Sequence, residues 1–231
     1  TPIQNVGAYG QDVAETLRSV VCLDRTTLER RVFAGDECGF GYRTSRFKQE
    51  DRGRFVVLEV TFRLRAGAPP QLRYPELQQA VAAAGGLPAA ALDALRLVRN
   101  TVLALRRKKS MVLDPADPNT RSAGSFFLNP VLDPSAFADL KRRWAALAKS
   151  GEIPTYPAGG GVKVPAAWLV EQAGFSKGYR HGGVGISSRH ALALVNNRGT
   201  SAELLALAKA IMDAVGDRFG VRIEPEPEIV A

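Results

Sequence analysis

From residue 55 to 65 the chain reads FVVLEVTFRLR and alternates strictly. Val57, Glu59, Thr61, Arg63 and Arg65 fall on one face, and Val56, Leu58, Val60, Phe62 and Leu64 fall on the other. That period of two predicts a half-buried strand, ended by Gly67-Ala-Pro-Pro70. Residues 12–23 and 27–34 read as two earlier strands joined by the polar turn around Asp24-Arg25-Thr26. The middle of the chain changes period. An Ala-rich helix is expected from Tyr74 to Ala84, stopped by Gly85-Gly86, and a second is expected from Pro88 to about Arg107. Leu92, Leu95, Val98, Val102 and Leu105 would form the second helix's apolar stripe. Asp133-Pro134 opens a third helix, with Phe137, Leu140, Trp144 and Leu147 on one face and Gly151 as its stop. After a Gly- and Pro-rich loop, a short helix is expected from Pro165 to Gln172, then a buried strand over 190–196. The last helix is capped by Thr200 or Ser201 and buries Leu204, Leu205, Ala208, Ile211, Met212, Val215 and Phe219. Strands lead and helices follow, so the predicted class is α+β. The composition change near 97–110 marks the best domain boundary.

Composition narrows the class. The chain has 231 residues, 45% of them hydrophobic and 23% charged, which is ordinary globular usage and argues against disorder. No apolar run reaches the roughly 20 residues that a bilayer span requires, and no signal peptide opens the chain. The first residue is Thr, not Met, which suggests that the natural start lies elsewhere. Cys22 and Cys38 form neither a disulfide framework nor a metal motif, so a reduced, cytoplasmic protein with no catalytic metal is expected. The 31 Lys+Arg against 23 Asp+Glu leave a net charge of +8, which suits nucleic acid, an anionic membrane or phosphorylated small molecules.

Four segments carry candidate chemistry. Pro2 to Gly10 is small, polar and rich in glycine, as a backbone that approaches a ligand closely would be; it is equally a good turn. Cys38 to Lys48 interleaves aromatic rings with Arg43, Arg46 and Lys48. It fits a carboxylate or phosphate, gripped by an arginine fork, or single-stranded nucleic acid. Ser122 to Pro130 sets two serines beside Phe126 and Phe127, where a hydroxyl in a dry pocket could serve as proton donor or nucleophile. There is no GxSxG elbow, and His181 and His190 have no evident acid partner. Glu224, Glu226 and Glu228 alternate with prolines near the end, either as a frayed acidic tail or as a stiff extended segment.

Taken together, PIQNVGAYGQ, GYRTSRFK, SAGSFFLNP, HALALVN and the final EPE, in that order, resemble the UDP-N-acetylenolpyruvoylglucosamine reductase family along essentially the whole chain. The resemblance implies a flavoenzyme of peptidoglycan synthesis. NADPH reduces bound FAD, and flavin N5 then delivers hydride to the enolpyruvyl methylene of UDP-N-acetylglucosamine enolpyruvate, giving UDP-N-acetylmuramate. It further implies residues 1–97 as the remainder of a vanillyl-alcohol-oxidase-type (PCMH) FAD-binding domain. Residues 98–231 would be an α+β substrate-binding domain whose tail, 221–231, returns to the active site. By the same resemblance Arg43 grips the substrate carboxylate, Ser125 donates the proton, and Glu226 assists as a protonated acid, with Glu224 and Glu228 as alternative registers. Tyr42, Lys109 and Asn129 would bind the diphosphate and sugar, and Tyr74 would cover the uridine diphosphate. Ile3, Gln4, Val6, Gly7, Tyr9 and Arg106 would line the FAD, leaving Arg107 and Lys108 to solvent.

The protein is expected to be a monomer with small-molecule partners and with no nucleic acid or membrane among them. A nucleic-acid-binding module and a flavin-free UDP-sugar-binding fragment are the alternatives. The family's first flavin-binding portion has no counterpart in these residues. The 231-residue chain by itself is therefore expected to purify with substoichiometric flavin, and a visible flavin band at full occupancy would overturn that expectation.

Overall fold

The structure is a computed structural model that describes residues 2–147 and 151–229. The chain divides into two compact units, Thr1–Leu105 and Arg106–Ala231. The dividing point falls within a helix that also contains residues 97 and 98.

The first unit opens on a two-stranded ribbon, β1 (Gly7–Ala8) and β2 (Gln11–Asp12), with Gly7 opposite Asp12. A three-stranded antiparallel sheet follows, in the order β4 (Arg30–Ala34), β3 (Leu17–Asp24), β5 (Phe55–Phe62). Its core is Leu17, Val20, Cys22, Phe33, Cys38, Phe47 and Phe55. Burial pushes the Cys38 thiol up to about 11, so it behaves as a small apolar residue. The helices α1 (Pro75–Ala83) and α2 (Ala91–Lys108) come next, with Leu77, Val81 and Leu105 buried together.

The strand expected over 12–23 begins only at Leu17, after a 3-10 turn over Val13–Glu15, and Leu205, expected on the buried face of the last helix, is exposed. Two further details differ from the sequence pattern, each with a local cause. Along β5, Cys22 pairs with Val57 but Val21 pairs with Glu59, so Leu58 is an extra residue in the ladder. This bulge shifts the faces. Val57 and Val60 both pack against the core, although strict alternation puts them on opposite faces. Val56, Leu58, Phe62 and Leu64 are instead exposed. The second helix starts at Ala91 rather than Pro88, because the Gly85-Gly86 exit, with φ of 93° and 85°, runs into a bend over 89–90. Leu92 and Leu95, expected in the apolar stripe, are exposed, and Ala94 and Leu105 are the buried positions.

The second unit carries a four-stranded antiparallel sheet in the order β10 (Arg180–His181), β11 (Val184–Ile186), β12 (Ala193–Asn196), β6 (Ser122–Ser125). A smaller sheet joins β7 (Val131–Leu132), β9 (Gly161–Lys163) and β8 (Tyr156–Ala158). Helices α3 (Pro134–Ala146), α4 (Ala166–Gln172) and α5 (Ser201–Phe219) bury Leu140, Leu169, Ile211, Val215 and Phe219 against these strands. The N-terminal caps expected at Asp133 and Thr200 are present. Asp133 accepts from Ser135 and Ala136 at the start of α3. Thr200 and Glu203 form a reciprocal capping box at α5, and Gly220 ends it at φ 68°. The expected Gly151 stop of the third helix adjoins 148–150, outside the described residues. The architecture is α+β. Among the described residues no helix is long and apolar enough to cross a membrane.

Candidate active site

In the first unit, two loops distant in sequence are fastened together by polar contacts. Asn5 is 4% exposed. Its Nδ2 donates to the Gly41 carbonyl at 2.9 Å and its Oδ1 accepts from the Ala14 amide at 3.0 Å. Ser45 Oγ donates to Ile3 O at 2.7 Å, and Lys48 Nζ donates to Gln4 Oε1 at 2.8 Å. These bonds hold residues 3–5 in a fixed path, with Ile3 and Val6 exposed. Asn5 and Tyr9 sit at φ 43° and 53°.

Arg43 occupies the corner of a tight turn closed by the Gly41–Thr44 bridge, with φ 52°, an uncommon conformation for a side-chain-bearing residue. Its Nη1 donates to Asn5 O at 3.3 Å and Asp12 Oδ1 at 3.0 Å, and its Nη2 donates to Gly7 O at 2.6 Å. Tyr42 packs its ring 5.3 Å from the guanidinium carbon. Arg46, another cation of the same segment, has a structural job. It pairs with Asp51 at 2.6 Å and stacks on Phe33 at 4.5 Å.

Tyr74 lies edge-to-face on Tyr9, with ring centroids 5.3 Å apart. Its neighbour Arg73 pairs with Glu15 at 2.8 Å. Gly10 permits this approach: a Cβ there would meet Arg73 Cβ at 2.7 Å.

Within the 3–9 segment, the buried Gln4 Nε2 has no hydrogen-bond partner. A buried donor left in that state costs free energy, and a ligand acceptor would satisfy it. The exposed Ile3 and Val6 offer apolar contact beside it. These residues fit a flat, acceptor-rich ring such as an isoalloxazine.

The second unit brings Ser125 and the tail together. Ser125 ends β6, opposite Ala193, and Phe126 donates to Leu192 O at 2.8 Å. The tail pairs antiparallel with the next residues through the Phe127–Pro225 bridge. Leu128 N donates to Glu224 O at 2.9 Å, and Glu226 N donates to Phe126 O at 2.8 Å. Glu226 is therefore half-buried beside the Ser125 strand, whereas Glu224 and Glu228 are exposed. Asn129 Oδ1 accepts from the Ala166 amide at 2.8 Å, at the start of α4.

At the end of α2, Arg107 and Lys108 are exposed while Arg106 and Lys109 are half-buried. Arg106 Nη2 donates to Met111 O at 2.8 Å. The buried Ser110 donates to Asp117 Oδ2 at 2.6 Å. Asp117 in turn accepts from Asn119, whose Oδ1 accepts from Ser188 N at 2.9 Å. These hydrogen bonds hold the Asp117 carboxyl below its ordinary range and tie Lys109 to the 187–190 turn.

Half-buried His190 accepts the Leu192 amide on Nδ1 at 3.0 Å. Burial, then the charges of Lys109 and Lys177, lower its pKa below 6.5. Lys177 thus acts on His190 as Lys109 does. Sequence reasoning missed it, because a single Lys between Ser176 and Gly178 carries no pattern.

A depressed folded-state pKa means that the unfolded chain binds the extra proton first. The stabilisation is present above about pH 6.5 and is lost as pH falls through the folded value. Thermal melts from pH 8 to 5 should show that loss, and His190→Gln should flatten it. An unchanged slope would remove His190 as its source.

The fold is shared with the crystal structure of UDP-N-acetylenolpyruvylglucosamine reductase from Thermus caldophilus. That comparison has a TM-score of 0.55 at 20% identity, covering 98% of this chain and 57% of that one. Residues 114–230 match the family of the UDP-N-acetylenolpyruvoylglucosamine reductase C-terminal domain. The chain belongs to that family. It is 49% identical to the UDP-N-acetylenolpyruvoylglucosamine reductase of Thermobifida fusca over 234 residues, all of this chain and 64% of the relative. It is 50% identical to that of Nocardia farcinica over 237 residues, all of this chain and 60% of the relative. The chain thus spans less than two thirds of the length of these curated relatives.

Proposed function

We propose that this chain supplies the substrate-binding and proton-donating part of a cytoplasmic, FAD- and NADPH-dependent oxidoreductase. The reaction is reduction of UDP-N-acetylglucosamine enolpyruvate to UDP-N-acetylmuramate. The observation that carries this reading is the pairing of the tail on residues 126–128, which sets Glu226 beside the strand of Ser125. In this reading residues 1–97 are the remainder of a vanillyl-alcohol-oxidase-type FAD-binding domain and 98–231 bind substrate.

FAD, reduced by NADPH, supplies the hydride. Addition of hydride to the enolpyruvyl methylene leaves an enolate, whose charge needs a cation and hydrogen-bond donors in a dry site. Arg43 holds the carboxylate and takes up part of that charge. The Ser125 hydroxyl gives its proton to the carbon that bears the carboxylate, and solvent later restores it. Glu226 hydrogen-bonds the enolate from the other side. Lys109 binds the diphosphate. Tyr42 and Asn129 bind the sugar portion, Asn129 through its amide NH₂. Tyr74 covers the uridine diphosphate, and its contact with Tyr9 ties that cover to the flavin-lining segment 3–9. Arg106 completes the lining. The net charge of +8 suits a site whose ligands are all anionic.

The test is NADPH oxidation by the flavin-loaded protein, with the family's first flavin-binding portion supplied. One equivalent should be consumed per equivalent of UDP-N-acetylglucosamine enolpyruvate, with UDP-N-acetylmuramate as product by mass. NADPH oxidation independent of that sugar would overturn the assignment.

A further inference from the structure

We propose that Asp12 is a positioning residue that fixes the plane of the Arg43 guanidinium and registers it against the segment lining the flavin. The proposal rests on the reading of Arg43 as the group that binds the substrate carboxylate. A guanidinium recognises a carboxylate as a planar fork, so its orientation matters as much as its charge. Within the first unit three oxygens help to set that orientation: Asn5 O, Gly7 O and Asp12 Oδ1. All three come from residues 5–12, although Arg43 lies on a separate loop. Two are backbone carbonyls fixed by the ribbon and by the buried Asn5, and Asp12 is the only side chain among the three.

The ribbon register explains how the seat exists. Gly7 stands directly opposite Asp12. A Cβ on Gly7 would overlap the Asp12 carboxylate and come within 2.6 Å of Arg43 Nη1. The missing side chain at 7 is thus the space into which the carboxylate and the guanidinium fit. The Asp12 amide is held by Glu15 Oε1 at 3.3 Å, half of a reciprocal capping box between Asp12 and Glu15 that anchors the strand end carrying the carboxylate.

A purely stabilising role is the competing account, and exposure argues against it. The Asp12 side chain is 45% exposed and that of Arg43 is 16% exposed. An ion pair with one partner half-exposed contributes little to folding. Misplacing a substrate-binding group by a fraction of an ångström, in contrast, costs about tenfold or more in turnover. The geometry also separates charge from position. An anionic Asp12 weakens the attraction of Arg43 for an anionic substrate, so charge alone predicts that neutralising it tightens binding. Position predicts that removing the acceptor loosens it.

The experiment uses the flavin-loaded protein, with affinity for UDP-N-acetylglucosamine enolpyruvate measured by calorimetry without NADPH, alongside steady-state kinetics. Asp12→Ala should weaken affinity about tenfold and lower kcat/KM by at least as much, with a melting temperature within about 4 °C of the parent. Asp12→Asn keeps an acceptor oxygen and should rescue affinity to within about threefold. Asp12→Glu keeps the charge but displaces the acceptor, so it should be weaker than Asp12→Asn. Parental affinity in Asp12→Ala overturns the proposal, as does Asp12→Asn falling as far as Asp12→Ala. Should Asp12→Ala fail to fold, the order of the Asn and Glu variants decides. Arg43→Ala separates the two levels: unchanged affinity there defeats the reading of Arg43, whereas its loss together with a neutral Asp12→Ala defeats only the role of Asp12.

Discussion

Ser125→Ala should stop turnover while leaving reduction of the flavin by NADPH at its parental rate. The hydroxyl is needed only after hydride has reached the substrate, so a rapid-mixing experiment should resolve a normal reductive half-reaction and a stalled oxidative one. Proton donation by a positioned side chain contributes about 10²–10⁴-fold, which is about 3–5 kcal/mol of barrier. The structure makes this substitution a clean one. Ser125 sits at the end of β6, its strand position is set by the pairing with Ala193, and the following residue is held by the bond from Phe126 N to Leu192 O. Alanine keeps every one of those contacts. Stability should therefore change by less than about 1 kcal/mol, so that a lost rate cannot be assigned to lost fold. Re-oxidation of the flavin by UDP-N-acetylglucosamine enolpyruvate at the parental rate in Ser125→Ala would remove Ser125 from the mechanism. Ser125→Cys, which puts a weaker hydrogen-bond donor but a stronger acid in the same place, should recover part of the rate.

The elements were readable where one local signal fixes each end. Asp133-Pro134 and Thr200 open their helices in the structure as their chemistry predicts. The pattern misled where a single residue changes the count. The extra residue Leu58 reverses the faces of β5, and no property of Leu58 itself announces a bulge. Position 88 misled for the opposite reason: a proline can open a helix, but it can also precede a bend.

Candidate residues show the same division. Arg43, Ser125 and Glu226 stand in short motifs with unusual composition, so the residue types could be singled out before any coordinates. The choice among Glu224, Glu226 and Glu228 could not be made that way, since each is separated from the next by a single proline. The register of the tail supports Glu226, because its amide is the one that reaches Phe126. Asp12 and Lys177 lay below any sequence signal. Their surroundings are assembled from segments far apart in the chain: Asp12 lies 31 residues from the arginine it orients.

Phe127→Ala should be among the most damaging substitutions in the second unit, by about 3–5 kcal/mol. Phe127 is 2% exposed and belongs to the core shared by α3, α4, α5 and the large sheet. Its ring packs against Phe126 with centroids 5.2 Å apart. Truncation removes a whole ring from a filled space, and the cavity adds to the lost transfer free energy. Phe127→Leu keeps most of the volume and should cost clearly less.

The position of the residue gives this prediction a second reading. The backbone of Phe127 bridges to Pro225, with the bonds from Leu128 N to Glu224 O and from Glu226 N to Phe126 O on either side. The tail is thus held by three consecutive residues whose own path is set by the buried Phe126 and Phe127. Val221 and Ile223, each 2% exposed, anchor the tail just before that point. Loosening Phe127 should release the segment beyond Ile223 before the unit unfolds as a whole. Chemical denaturation measures the first effect. Limited proteolysis measures the second: cleavage after Arg222 should accelerate in Phe127→Ala under conditions where the rest of the unit remains intact. Equal protection of that site in both proteins would show that the tail is held by Val221 and Ile223 alone. The placement of Glu226 would then owe nothing to the aromatic pair beside Ser125.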